Sequence, residues 1–215
     1  MNLPNALTVA RIAVSPPLFV LIFVETFTAR LLAFLLFILA AVSDVWDGYL
    51  ARSRGQVTDF GKLADPIADK LLLIVTFVPF YLLPRTGDPV GAVPSWWILE
   101  WGPLPLWVVL VVLGRELVVT VFRGYAARRG LVMPAGKAGK WKATFQNLFI
   151  GGLILWYALQ TKAAAAGWHG AAWSLWQEIH AAWVAITLAG AVALTIASLA
   201  VYVWQYRRLA RGAWV

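Results

Sequence analysis

Four aspartates in a mostly apolar chain are the residues best suited to chemistry. Asp44 and Asp47 are three residues apart, and Asp65 and Asp69 are four apart. Residues at these spacings share one face of an α-helix, so each pair predicts two carboxylates on one side of a helix. Carboxylates beside a membrane are costly unless they are paired or bind a metal ion. The spacing therefore predicts a functional site.

The chemistry predicted for this site is metal-assisted displacement at phosphorus. Mg²⁺ prefers carboxylate oxygens and commonly bridges to substrate phosphates. Four carboxylates on two facing helices could hold two ions about 3.5–4 Å apart, as in-line displacement requires. Gly48 and Gly61 leave room for a diphosphate near the backbone, and Arg52 offers a forked donor to a phosphate. The alternative is simple pairing of the aspartates with nearby cations (Arg52, Arg54, Lys62 and Lys70), which would need neither regular spacing nor glycines.

The helices that must position these residues belong to a membrane protein. The chain is 61% hydrophobic and only 13% charged, with a mean hydropathy of +0.76, too apolar for a soluble domain of 215 residues. We predict one all-α domain over 1–215, with an interfacial segment at 1–11 and six spans. The spans are expected near 12–28, 31–54, 60–83, 104–130, 143–161 and 181–205, although five would suffice if one apolar run is re-entrant. Cysteine is absent, which excludes disulfides and thiol catalysis.

The distribution of positive charge predicts the orientation. Of the 18 Lys and Arg, only Arg30, Arg85 and Lys162 fall at the ends of spans away from the aspartates. Because positive residues concentrate on the cytoplasmic side, both termini and the aspartates should face the cytoplasm. No soluble basic domain is evident, so nucleic-acid binding is not expected.

A second polar group lies within the fourth predicted span. Arg115 and Glu116 interrupt an apolar run, and Arg123 follows two helical turns later. Ionisable residues inside a span are functional candidates by default. With Lys140 or Lys142 they could bind the phosphate of an acceptor substrate. An internal ion pair that only holds the helices together is the alternative interpretation.

Three further parts of the sequence can be interpreted. Asn5 and Thr8 either contact the substrate or belong to an ordinary lead-in to the first span. His169 and His180 are expected to be interfacial residues and not metal ligands. The segment 163–180 contains three tryptophans and predicts an outer interfacial helix.

The aspartate motif resembles a known family. Its eight fixed positions match the signature of the CDP-alcohol phosphotransferases: Asp44, Asp47, Gly48, Ala51, Arg52, Gly61, Asp65 and Asp69. The resemblance implies a six-helix membrane fold, a homodimer, and a pair of Mg²⁺ or Mn²⁺ ions on the cytoplasmic side. By motif position it implies metal ligation by the four aspartates, with Asp69 also acting as general base. It further implies contacts between CDP and three residues, Gly48, Arg52 and Gly61.

Within that family, the sequence is similar to the bacterial phosphatidylglycerophosphate synthase group. The shared features are the opening LPNALTVARI, the DPIADK run, and the pattern around Arg115 and Lys140–Gln146. This similarity implies CDP-diacylglycerol as donor, sn-glycerol 3-phosphate as acceptor, CMP as a product and a bacterial inner membrane as location. Ala143, between Lys142 and Thr144, is a small departure from the group's pattern.

Other functions stay open from the sequence. Within the family, the acceptor could instead lead to phosphatidylserine, a phosphatidylinositol phosphate or cardiolipin. Membrane prenyltransferases also use two Asp-rich motifs, but they lack the Gly48–Arg52 continuation. A small ion transporter would place its carboxylates near the middle of the bilayer, whereas Asp44 and Asp47 fall at the end of a predicted span.

Overall fold

The fold is helical throughout the residues that the computed structural model describes, which are 2–53, 58–87, 104–129 and 137–210. These described residues form six long α-helices and one short 3₁₀ helix at Leu83–Arg85. The long helices are α1 (Leu3–Phe23), α2 (Phe27–Ser53), α3 (Asp59–Leu82), α4 (Leu106–Arg128), α5 (Lys137–Ala166) and α6 (Ala171–Ala210).

The helices are those of a polytopic membrane protein, as predicted. By length and composition, α1, α2, α3, α5 and α6 are each long and apolar enough to cross a membrane. The fourth predicted span corresponds to α4, whose 23 residues include Arg115, Glu116 and Arg123. Many large apolar side chains are exposed on the outside of the bundle, Leu39 and Val45 on α2 among them. Such a surface suits contact with lipid.

The N-terminal region forms one helix where the sequence predicted two segments. Residues 3–11 and the start of the expected span at 12–28 are continuous in α1. Pro4 lies in the first turn, where its missing N–H costs no hydrogen bond. The helix ends earlier than expected, because Val24 adopts an extended conformation.

The last two helices also differ from the prediction. Instead of a separate outer helix at 163–180, α5 continues to Ala166 and α6 begins at Ala171. Gly167 and Gly170 make the turn between them with φ values of 62° and 112°, a region that favours glycine. Residues 171–189 contain neither glycine nor proline, so nothing breaks α6 at the expected boundary near 180.

An aromatic core joins the helices below the site. The rings of Phe77 and Phe80 on α3 pack against Phe149 on α5, with centroids 5.4 and 5.9 Å apart. Elsewhere α1 packs on α2 and α3, α2 on α5, α4 on α3 and α6, and α5 on α6. Since α2 ends and α3 begins at the same side of the bundle, this packing brings both pairs of aspartates to one end.

Candidate active site

One arginine joins three of the four aspartates. Arg11, on α1, donates from Nη1 to Asp44 Oδ1 at 2.5 Å and to Asp69 Oδ1 at 3.0 Å. Its Nη2 donates to Asp47 Oδ2. The Arg11 side chain is fully buried, whereas those of Asp44 and Asp69 are 42% and 56% exposed. The three helices therefore meet at a group of carboxylates that is buried on the side of Arg11 and open to solvent at Asp44 and Asp69.

The fourth aspartate is bound by a hydroxyl from the same face of α1. Thr8 Oγ1 lies 2.7 Å from Asp65 Oδ1 and donates to it. One turn earlier, Asn5 Oδ1 accepts a hydrogen bond of 2.8 Å from Thr58 Oγ1. The structure thus places Asn5 and Thr8 beside the aspartates, which is where substrate contact would require them to be.

Thr58 also sets the start of α3. Its hydroxyl accepts a hydrogen bond of 3.0 Å from the Gly61 amide, so Thr58 is the N-cap of the helix that presents Asp65 and Asp69. A Cβ added at Gly61 would lie 3.3 Å from both Asn5 Oδ1 and Thr58 Oγ1. The small residue at position 61 therefore permits the close approach of α1 to α3.

The remaining residues predicted to bind CDP lie on α2. Gly48 follows Asp47 directly and is partly exposed. The backbone of Arg52 continues the same helix, one turn farther on, but its side chain lies outside the described part of the structure. Lys70, one of the cations considered as a simple partner for the aspartates, instead donates to the carbonyl of Pro66 at 2.7 Å.

The second polar group is centred on Glu116. Its Oε1 accepts from Arg115 Nη1 at 2.9 Å and from Lys142 Nζ. Arg123 lies close enough for its charge to act on the Lys142 ammonium group, and its guanidinium is 5.9 Å from the Tyr202 ring. Of the four residues predicted to bind the acceptor phosphate, Arg115 and Lys142 therefore share one carboxylate, and Arg123 lies two turns farther along α4.

Lys140 is not brought to that group. It is exposed, while Lys142 is buried. Side chains two positions apart in an α-helix point about 200° apart around its axis, so only one of these lysines can face the bundle. Gln146, one turn beyond Lys142, is buried as well, and its Nε2 has no hydrogen-bond partner among the described residues.

An apolar cavity of about 240 Å³ lies between α1 and α2, next to the aspartates. Arg11 and Ser43 are its polar lining residues, and Ser43 directly precedes Asp44. The rest of the lining is aliphatic: Leu7, Ala10, Val14, Leu36, Leu39 and Ala40. A hydrocarbon chain would fit such a lining, with its polar end towards the carboxylates.

Comparison with known proteins identifies the family. A model of the CDP-alcohol phosphatidyltransferase family matches residues 1–197. The chain belongs to this family. It is similar to the CDP-diacylglycerol–glycerol-3-phosphate 3-phosphatidyltransferase of Rickettsia typhi, with 39% identity over 154 residues, covering 72% of this chain and 76% of the relative.

Two relatives with that same printed name extend the likeness to other bacteria. The Bacillus subtilis protein is 34% identical over 167 residues, covering 72% of this chain and 77% of its own length. The Pseudomonas fluorescens protein is 32% identical over 200 residues, covering 85% of this chain and 91% of its own.

Family membership raises the question of whether the aspartates suit a divalent metal ion. Among the described residues, no three acidic or histidine side chains stand close enough together to hold an ion by themselves. The chemistry of the donors nevertheless fits, because carboxylate oxygens are what Mg²⁺ and Mn²⁺ prefer. The Arg11 guanidinium already places a positive charge between three of them. Asp44, Asp47, Asp65 and Asp69 are the residues that would hold such ions.

Sequence reasoning missed three residues of this family member's site. Arg11 is the only charged residue among the first 24, which was a usable signal for a buried ion pair. Thr58 also had a usable signal, because threonine is a favoured N-cap residue and directly precedes α3. Gln146 was noticed only as part of a motif, and its burial is visible only in the fold.

Proposed function

We propose that this chain transfers the phosphatidyl group from CDP-diacylglycerol to sn-glycerol 3-phosphate, giving phosphatidylglycerophosphate and CMP. The names of the relatives support this reaction. The structural observation that supports it most is the meeting of α1, α2 and α3 at four aspartates, two of which are open to solvent. A soluble acceptor and a lipid donor could both reach such a site.

The surroundings of the aspartates suit both the hydrocarbon and the diphosphate of CDP-diacylglycerol. The cavity between α1 and α2 would receive part of its hydrocarbon, because its lining is aliphatic and it opens beside Asp44. The diphosphate would then lie among the aspartates, near Gly48 and Gly61. Asn5 and Thr8 border the same space and would contact the nucleotide.

The acceptor's phosphate would be bound by the cations around Glu116. Arg115, Arg123 and Lys142 provide three positive charges against the single negative charge of Glu116, so the group has an excess of +2. These residues lie on α4 and α5, which pack on the two helices that present the aspartates, α3 and α2. We include Lys142 and leave out Lys140, because Lys140 is exposed away from the group.

Asp69 is the proposed general base. It is the most exposed of the three carboxylates bound by Arg11, and so the most accessible to an incoming hydroxyl. As that oxygen bonds to the phosphatidyl phosphorus, Asp69 takes its proton. The bond from the same phosphorus to the CMP phosphate oxygen breaks, and CMP leaves with the electron pair. Bound Mg²⁺ or Mn²⁺ would supply neutralisation of the diphosphate charge.

Replacement of Asp69 tests this mechanism. Asp69→Asn removes the base while preserving size, so CMP release by purified protein should fall by about 10²–10⁴-fold, the usual contribution of general base catalysis. Glu178→Gln, which alters an exposed carboxylate on α6, is the matched control and should leave the rate unchanged. A rate for Asp69→Asn within threefold of the unsubstituted protein would remove Asp69 from this role.

The proposal also covers where the chain is located, how it is oriented and how it assembles. We place the chain in a bacterial inner membrane with the aspartates facing the cytoplasm, since few cations lie at the other end of the bundle. One of those, Arg30, donates to Thr161 Oγ1 at 2.6 Å, and Thr161 directly precedes Lys162, another of them. The family resemblance suggests a homodimer. Protease accessibility in sealed vesicles would test the orientation, and mass measurement in detergent would test the dimer.

A further inference from the structure

We infer that Arg11 is the resident cation of the aspartate site, and that a divalent metal ion must displace its guanidinium to bind. This inference rests on the metal dependence included in the proposed function. It assigns a positioning role to Arg11, which has no part in the proton transfer described above.

The contacts of Arg11 are those a bound cation would make. Both of its terminal nitrogens are engaged, Nη1 with Asp44 and Asp69 and Nη2 with Asp47. These three carboxylates come from two helices, and Arg11 comes from a third. The guanidinium binds one oxygen of each carboxylate, so a metal ion placed between the three aspartates would compete with it for those oxygens.

The charge at the site explains why some cation has to be present. Four aspartates contribute −4 and Arg11 contributes +1, so the group has a net charge of −3 (−4 + 1). Thr8 satisfies an oxygen of Asp65 but adds no positive charge. Without Arg11 the carboxylates would repel one another across the ends of α2 and α3, and the site would lose stability.

The displaced side chain has space available. Arg11 and Ser43 are the polar lining residues of the cavity between α1 and α2, so a guanidinium displaced from the aspartates would turn towards Ser43 and leave the aliphatic lining to the donor's hydrocarbon. Its Nε is buried and has no hydrogen-bond partner in the described structure, so this donor loses no hydrogen bond when the side chain turns. A guanidinium that turned this way would lie where the donor's phosphate meets its hydrocarbon.

Thermal unfolding without substrates tests the exchange. The protein is purified in detergent, stripped with a chelator, and melted at increasing concentrations of Mg²⁺ or Mn²⁺. The unsubstituted protein should gain stability as the ion binds the folded state. In chelator, Arg11→Gln should have a lower melting temperature than the unsubstituted protein. Added metal should raise its melting temperature by more, and half of that rise should be reached at a metal concentration at least tenfold lower than for the unsubstituted protein.

Two further variants separate competition from general damage. Arg30→Gln also removes a buried arginine, but at the opposite end of the bundle. It should melt lower in chelator yet show an unchanged half-saturating concentration. Arg11→Lys keeps the charge with fewer contacts, so its half-saturation should lie between those of Arg11→Gln and the unsubstituted protein. This variant also serves if Arg11→Gln does not fold.

The outcomes distinguish the two proposals. If metal stabilises the unsubstituted protein but Arg11→Gln and Arg11→Lys need as much metal or more, the Arg11 inference is overturned and the proposed function stands. If neither ion stabilises the unsubstituted protein, metal dependence and the Arg11 inference fall together.

Discussion

Replacing Glu116 by glutamine should reveal what the second polar group does. The substitution leaves Arg115 and Lys142 beside a neutral side chain that accepts hydrogen bonds without balancing their charge. Both cations are almost fully buried, and Glu116 is 20% exposed. Removing one partner from a buried ion pair costs about 3–5 kcal/mol, and the partial exposure of Glu116 favours the lower end, about 3 kcal/mol.

That free energy corresponds to a measurable change in melting temperature. For a chain of this length, 1 kcal/mol shifts the midpoint by roughly 2–4 °C, so Glu116→Gln should melt about 6–12 °C lower. Because the uncompensated cations are those proposed to bind the acceptor, added sn-glycerol 3-phosphate should restore part of the loss. The same concentration of glycerol should restore none.

The assay is thermal unfolding in detergent, with Glu178→Gln as the exposed-carboxylate control. A second substitution, Lys142→Met in the Glu116→Gln background, should recover stability by removing one unpaired buried charge. If Glu116→Gln melted within 2 °C of the unsubstituted protein, the ion pairs would not hold α4 to α5. If it melted lower and glycerol 3-phosphate gave no recovery, the group would hold the helices together without binding the acceptor.

Two further predictions concern the contact between α1 and α3. Gly61→Ala adds a methyl group 3.3 Å from Asn5 Oδ1 and Thr58 Oγ1, so these side chains, which border the aspartates, must move by a few tenths of an ångström. CMP release should then fall at least tenfold with little change in melting temperature. An unchanged rate would show that the close approach is not needed. Thr58→Val removes the N-cap and the hydrogen bond to Asn5, so the free energy of unfolding should fall by about 1 kcal/mol. Thr58→Ser should be about as stable as the unsubstituted protein. Equal stability of both variants and the unsubstituted protein would refute the capping role.

The sequence predicted the fold class and the main site because both depend on local patterns. Long apolar runs identify helices that suit a membrane, and the regular spacing of Asp44, Asp47, Asp65 and Asp69 places them on two helix faces. Asn5 and Thr8 could be suspected for the same reason, since they are three residues apart. Their contacts with Thr58 and Asp65 span more than 50 residues of sequence and required the fold.

The predictions that were wrong or incomplete concern features that depend on tertiary packing and not on local hydropathy. The long helix α6 was divided near residue 180 because the sequence becomes more apolar there, yet its backbone has no reason to break. Arg11 was assigned only to the interfacial segment 1–11, because no local pattern shows that three carboxylates from other helices surround it. Lys140 and Lys142 could be separated only by their helix face, which depends on where α5 packs.

The most direct test of the central claim is a stoichiometric assay with purified protein, CDP-diacylglycerol and labelled sn-glycerol 3-phosphate. Serine, inositol 1-phosphate and phosphatidylglycerol are tested in parallel as acceptors. We predict one CMP released for each labelled phosphatidylglycerophosphate formed, only with glycerol 3-phosphate and only with Mg²⁺ or Mn²⁺ present. CMP release that depended on another acceptor would contradict the proposed substrate, and release that persisted in chelator would contradict the role given to the four aspartates.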